Sequence, residues 1–325
     1  MILDNKKEIV KKIEEADGVL IGASNGLSIT EGLHLFADNQ AFEELFGDLK
    51  QKYGIQCILQ GMGARWPSEE EKWGFWSRLI HHYCGEYRET QVMTDLKKVI
   101  GKKDYFVVTS NGECHFEMCR FAPEKIYEVE GNWLTMQCAA RCHEKVYPWA
   151  DLSEKMAGAE QKGKIPSELV PYCPVCGGPM QVHMAMDRNF IPETESQKGL
   201  EDFLEQYHGK KLVILELGIG WRNQLIKAPL MQLAAREPQA VYVTVNLGEI
   251  LSRMRSGISL MVWMGIWQKS FMSWRKSGET ENEKKAYHHR RRSGGTVCGI
   301  YGGRSRLSLY SGFPAAIRKV TVGAG

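Results

Sequence analysis

The sequence predicts an α/β fold, a Rossmann-like parallel sheet with helices on both faces, interrupted by one small cysteine-bearing module. Three observations predict it. Short apolar runs of strand length alternate with longer amphipathic stretches, so successive strands are joined by crossover helices and lie parallel. Glycine-rich turns follow two of those runs. Between residues 138 and 180 the alternation breaks, at two cysteine pairs set among Gly and Pro.

Residues 5–16 carry a charged helical pattern closed by Asp17-Gly18, and Gly18–Gly22 is an apolar run bounded by glycines, hence a buried strand. Helical patterns follow near 39–53, 69–85 and 88–101. Tyr105–Thr109 and Ile126–Glu130 supply two further strands, and Lys211–Leu217 and Ala240–Asn246 another two, with an apolar helix around 225–236 between them. Residues 1–137 and 181–250 are therefore expected to form the main domain, with 138–180 as the inserted module. No internal repeat appears before residue 250.

The chain has 325 residues, 43% of them hydrophobic and 25% charged, enough for a substantial core. Nine cysteines are too dilute for a disulfide scaffold. No basic segment leads into an apolar run at the start, and no stretch approaches 18 apolar residues, so a cytoplasmic protein without a membrane partner is expected. The net charge of +3 conceals an asymmetry. Residues 251–325 hold 14 Lys and Arg against Glu279, Glu281 and Glu283, a net +11, while the first 250 residues carry a net −8. That segment also holds 11 of the 33 glycines and loses the periodicity. It reads as a basic tail, poorly ordered or produced by a shifted reading frame, and is the only hint of a nucleic-acid partner. All five expected strands precede residue 251, and the segment bears on the fold only if its apolar burst, 261–267, packs as a makeshift last element.

Cysteine spacing is the sharpest chemical signal. Cys138-x3-Cys142 and Cys173-x2-Cys176 are separated by 30 residues. Each pair can bring two thiolates together at a tight turn, and two pairs complete a tetrahedral Zn²⁺ shell, which makes 138–180 a zinc-ribbon-type module. Four thiolates leave no open position, so the ion would be structural. Four unrelated buried cysteines are the plain alternative. Cys57, Cys84, Cys114 and Cys119 lack paired spacing and read as ordinary thiols.

The second signal is the small-residue turn Gly22-Ala23-Ser24-Asn25-Gly26-Leu27-Ser28, directly after the first strand. Small residues let backbone N–H groups approach a pyrophosphate. Ser24 stands where the G-x-G-x-x-G fingerprint has its second glycine, and a plain strand-to-helix turn remains open. Gly218-Ile219-Gly220 follows the fourth strand and Asn246 ends the fifth. The third signal is Thr109-Ser110-Asn111-Gly112-Glu113 after the second strand, with Glu130-Gly131-Asn132 after the third. Carboxyl ends of parallel strands share one crevice, and amide and carboxylate groups there suit ribose hydroxyls.

Together Gly22–Ser28, Thr109-Ser-Asn111, Glu130-Gly131, Gln137-Cys138-x3-Cys142, Cys173-x2-Cys176, Gly218-Ile-Gly220 and Val245-Asn246 resemble the sirtuins. The likeness is narrower to class M sirtuins, the microbial branch associated with macrodomains and lipoyl carrier proteins. The resemblance implies an NAD-dependent protein ADP-ribosyltransferase, with lysine deacylation and inactive NAD or ADP-ribose binding as alternatives. It implies that Gly22, Ala23, Ser24, Gly26, Ser28, Thr109, Asn111, Glu113, Gly218, Gly220 and Asn246 hold NAD, and that Asn111 and Glu130 are catalytic. The implied acceptor is a lipoylated carrier protein, and a macrodomain hydrolase would reverse the mark. Three departures stand out. Deacylating sirtuins have His at the position of Glu130, their Gly-Ile-Pro-Asp-Phe-Arg loop is missing after Ser28, and their nicotinamide-facing Asp is matched here by Glu113.

Overall fold

The computed structural model describes residues 6–246 and, as backbone, 259–264. The chain begins with α1 (Lys6–Glu15), β1 (Gly18–Ala23), α2 (Asn25–Thr30), α3 (Gln40–Tyr53), α4 (Ile58–Met62), α5 (Glu69–Ile80), which ends in a π turn, and α6 (Gln91–Ile100). It continues through β2 (Asp104–Thr109), α7 (His115–Met118), β3 (Ile126–Glu128), β4 (Gly131–Cys138), β5 (Tyr147–Pro148), α8 (Ala150–Ala159) and β6 (Met180–Met184). The last elements are α9 (Thr194–Gln206), β7 (Leu212–Leu217), α10 (Gln224–Arg236), β8 (Val241–Asn246) and β9 (Ser259–Met264).

The main sheet runs β3-β2-β1-β7-β8-β9, and every pair in it is parallel. The direction of winding reverses between β1 and β7, so the crevice of this doubly wound sheet opens at their carboxyl ends. β1 and β7 are buried along their whole length, as a sheet covered on both faces requires. Alternate strand residues feed two cores. Val19, Ile21, Val107 and Val213 pack against α1 and α6, whereas Leu20, Phe106, Ile214 and Tyr242 pack against α9 and α10. Inside the second of these cores Glu216 is fully buried. It is held by Lys227 at 2.7 Å, by Thr244 at 2.7 Å and by the Tyr242 hydroxyl, so the buried charge is paired and hydrogen-bonded.

The helices end where local chemistry ends them. Asn39 caps α3 by accepting from Phe42 N at 2.9 Å, and Gly54 closes it with φ at 71°. Ser68 and Thr90 cap α5 and α6 in the same way. Among the described residues no helix is long and apolar enough to cross a membrane.

Three expectations need correction. The third strand stops at Glu128, and Glu130 lies in the turn before β4. The inserted module is wider than 138–180, because its antiparallel sheet, β5-β4-β6, starts at Gly131 and ends at Met184. It is also not free-standing. Phe42, Phe46, Trp73 and Phe75 from α3 and α5 share one core with Trp133, Trp149, Met156 and Val182, so these two helices pack on the module rather than on the main sheet. Finally, the parallel pairing does not end before residue 251: β9 extends it to a sixth strand in register with β8. The remainder of the expected tail, 251–258 and 265–325, lies outside the described residues.

Candidate functional site

The crevice is built where four strand ends meet. The turn after β1 crosses the turn after β7 backbone to backbone: Gly26 N donates to Gly218 O at 2.9 Å. A Cβ on Gly26 would meet Gly218 Cα at 2.5 Å, and a Cβ on Gly218, whose φ is +62°, would meet Gly26 C at 2.4 Å. These two glycines are therefore demanded by their own crossing. Gly22 is set by helix packing, since a Cβ there would meet Leu230 Cδ1 at 2.2 Å. Ala23 is the buried last residue of β1, and a Cβ on Gly220 would meet nothing within 4 Å. Asn246 reaches back to the same turn, its Nδ2 donating to Ile219 O at 3.3 Å.

Asn111 sits at the centre. Its backbone N–H donates to Thr109 Oγ1 at 3.0 Å and its Nδ2 donates to Ser24 O at 3.3 Å. Its amide oxygen is buried and has no partner among the described residues. The other buried orphan is the Trp133 indole N–H. A Cβ on Gly112 would meet that nitrogen at 2.7 Å, so an unused acceptor and an unused donor flank the Asn111–Gly112 step. Buried polar atoms of this kind ordinarily have partners, so a ligand offering both a donor and an acceptor fits here. Nicotinamide and ribose groups are of that type, so the residues present suit NAD.

Ser28 and Glu113, 85 residues apart, are joined by a 2.6 Å bond from Ser28 Oγ to Glu113 Oε1. Burial pushes the Glu113 carboxyl up, while the charge of His115 and the Ser28 hydroxyl pull the other way. His115 is itself pinned, with Nδ1 3.0 Å from Glu31 and Nε2 2.9 Å from Tyr83 O. Burial alone would lower its pKa, but the Glu31 bond and the charges of Glu113 and Glu31 outweigh it and raise it. Sequence reasoning missed Glu31 and His115; the only signal was a His two residues beyond a strand-end Glu.

Glu130 stands at the junction of the two sheets. Gly131 beside it has φ of +75°, and a Cβ there would meet His183 O at 2.1 Å, which fixes glycine at this step. Among the described residues no side-chain partner is recorded for Glu130, and burial pushes its carboxyl up to about 7. The nearby Glu128 is buried, accepts from Asn132 Nδ2 at 2.7 Å, and is raised further, first by burial and then by the charge of Glu193.

The four module cysteines converge. Their sulfurs all lie within 4.8 Å of one another, with Cys138 to Cys176 at 3.7 Å and Cys142 to Cys173 at 3.5 Å. A tetrahedral ion with Zn–S of about 2.3 Å separates its sulfurs by about 3.8 Å, so the cluster has the size of a zinc shell. Gly177, at φ +69°, closes the turn, with Gly177 N donating to Cys173 O at 2.9 Å. Burial pushes the Cys173 thiol up, yet backbone N–H groups of Cys176 and Val175 pull it down to about 6, toward the thiolate a metal needs. His143 Nδ1 lies 3.0 Å from Cys142 Sγ, and His183 is engaged with Ile191 O at 2.6 Å. Cys57, Cys84, Cys114 and Cys119 are buried and apart from this cluster.

No family model matches the chain. Over 242 residues it is 31% identical to a protein ADP-ribosyltransferase of Staphylococcus aureus, a match covering 72% of this chain and 75% of that protein. Over 251 residues it is 29% identical to a probable bifunctional ADP-ribose hydrolase/ADP-ribosyltransferase of Fusarium oxysporum f. sp. cubense, covering 73% of this chain. The match spans 41% of that longer protein. Similar solved structures include a Sir2 protein with a p53 peptide and NAD⁺, at TM-score 0.45 and 18% identity, covering 81% of this chain and 95% of that one. Another is a Sir2 protein bound to a propionylated peptide, at TM-score 0.46 and 19% identity, covering 81% and 94%.

The class is thus a transferase on a Rossmann-like sheet with a small second sheet. The chain belongs to the family of the Staphylococcus aureus protein ADP-ribosyltransferase.

Proposed function

We infer that this protein cleaves the nicotinamide–ribose bond of NAD and transfers ADP-ribose to a protein acceptor. The observation that carries the reading is the 31% identity to a protein ADP-ribosyltransferase, three quarters of whose length is matched. NAD supplies the ADP-ribosyl group, and positive charge grows on its ribose as nicotinamide leaves. The chain's own residues bind and orient. Asn111 offers its unpartnered oxygen to a ribose hydroxyl, Glu130 accepts from a ribose hydroxyl, and Ser28 steadies Glu113 beside the carboxamide. The turns at Gly22–Ser28, Gly218–Gly220 and Asn246 receive the pyrophosphate and adenosine. Alignment and electrostatics of this kind are the main demands of the step. One structural Zn²⁺ on Cys138, Cys142, Cys173 and Cys176 holds the small sheet. The acceptor, on the class M likeness, is a lipoylated carrier protein whose mark a macrodomain hydrolase removes, and the setting is cytoplasmic.

A second reading has one specific observation in its favour. Lysine deacylation needs a general base for a ribose hydroxyl, and a carboxyl raised to about 7 is poised for that work. Glu130→Gln separates the two. It keeps shape and hydrogen bonding, so ADP-ribosyl transfer should stay within about tenfold of the wild type; a general base lost would cost about 10²–10⁴. A Gln variant that binds NAD normally but transfers nothing returns the base mechanism to the front.

The same substitution has a stability signature. Glu130 ionises less readily folded than unfolded, so its contribution is fully present below about pH 4.5 and is lost as pH rises through about 7. The Gln variant should therefore melt higher than wild type at pH 8 and nearly level with it at pH 4.5. Equal melting temperatures at pH 8 would contradict the burial assigned to Glu130.

A further inference from the structure

Three strand ends place one short polar side chain each at a single point. Ser24 follows β1, Ser110 follows β2, and Asn223 closes the turn between β7 and α10. Asn223 Nδ2 donates to Ser24 Oγ at 2.9 Å and to Ser110 Oγ at 2.9 Å, and Ser110 Oγ donates to Ser24 Oγ at 3.1 Å. The Asn223 turn is itself fixed, with Asn223 N donating to Gly220 O at 3.0 Å. Ser24 precedes α2 in the position of an N-cap, yet its side chain makes no capping bond, because its oxygen is committed to this knot.

Counting hydrogens gives the knot a direction. A primary amide nitrogen carries two N–H groups, and each goes to one serine oxygen. The contact between the serines consumes one of their two hydroxyl hydrogens. The other has no acceptor among the described residues. Both serine oxygens already accept from Asn223, so the remaining O–H must point away from the knot, which lies where the ends of β1, β2 and β7 meet.

We propose that Asn223 is a positioning residue that converts the Ser24–Ser110 pair into a fixed hydroxyl donor for the pyrophosphate oxygens of a nucleoside-diphosphate ligand. This rests on the proposed function and adds to it a residue that none of the motifs contains. It also accounts for Ser24 at the fingerprint's glycine position. Its oxygen is tied into the knot and the side chain is 2% exposed, so only its hydroxyl hydrogen is left over for a ligand. A hydroxyl whose direction is fixed before binding loses little freedom when a phosphate arrives, so more of the hydrogen bond to the charged group appears as affinity.

The test compares Asn223→Ala with Asn223→Asp in the full chain, titrating ADP-ribose and adenosine by calorimetry and recording the melting temperature without ligand. Asp keeps the shape but carries only acceptors, so it captures both hydroxyl hydrogens and adds negative charge. The expected result is that Asp weakens ADP-ribose binding by about tenfold or more. Ala should weaken it less, adenosine should bind to both variants as to wild type, and the ligand-free melting temperature should move by only a few degrees. An Asp variant that binds ADP-ribose as well as wild type, or better than Ala does, would overturn the proposal, because Asn223 would then be acting as an acceptor. So would a parallel loss of adenosine, which marks a merely structural role. A wild-type protein that binds neither ADP-ribose nor NAD overturns the proposed function itself, a result distinct from either.

Discussion

Asn111→Ala lowers ADP-ribosyl transfer about 10²–10³-fold, or roughly 3–4 kcal/mol, the usual cost of removing one preorganised polar contact from a reacting centre. The amide oxygen has no partner among the described residues, while the amide nitrogen is tied to Ser24 O, so the side chain is held in place for something else to bind. The loss should fall on kcat for nicotinamide release more than on the NAD concentration needed for half-saturation, because the contact grows as charge develops on the ribose. A variant that releases nicotinamide at the wild-type rate would remove Asn111 from the mechanism.

Cys173→Ser has the largest expected effect on the fold. Structural zinc contributes about 10–16 kcal/mol of apparent binding energy in small modules, and that energy is folding energy. Purified protein should contain one zinc per chain. The Ser variant should lose it together with the shared core in which Trp73 stacks edge-on against Trp149. A chelator should loosen the small sheet before the parallel one. Metal-free wild-type protein of full stability, or a Ser variant that melts like wild type, would refute the site.

What the sequence could and could not disclose follows from the range of each signal. Gly18–Ala23 and Leu212–Leu217 were legible because a strand buried on both faces is a continuous apolar run between turn residues. The pattern near 39–53 came within a residue of α3, whose ends Asn39 and Gly54 fix by local chemistry. The module's true start was hidden because β4 mixes buried and half-buried positions and carries no cysteine until its last residue. That α3 and α5 pack on the module was hidden for another reason. An apolar stripe says which face of a helix is covered but not by what. In the tail the apolar burst at 261–267 was visible, but Arg and Gly around it left no periodicity to join it to the sheet, so β9 fell outside the expected strands.

The site divides in the same way. Four cysteines at metal spacing were readable as a motif and do converge, and the sequence pointed to Asn111 after β2 and to Glu130, which lies in the turn before β4. Asn223 was not, because its partners Ser24 and Ser110 lie 199 and 113 residues away and only the meeting of three strand ends joins them. Gly26 and Gly218 were readable as glycines, but only part of the reason for them was. The sequence suggested ligand-binding turns, and the structure adds that each glycine is required for the other's passage.

One measurement bears on the central claim directly. Full-length protein is incubated with NAD labelled in the ADP-ribose portion, together with lipoylated and unlipoylated carrier proteins and an acylated lysine peptide. Free nicotinamide and protein-bound label are then counted in the same tube. The account predicts one label on the carrier for each nicotinamide released, with the peptide left acylated. Label retained as intact NAD with no nicotinamide released would make the protein a binding module, and nicotinamide release matched by loss of the acyl group would make it a deacylase; either result contradicts the account.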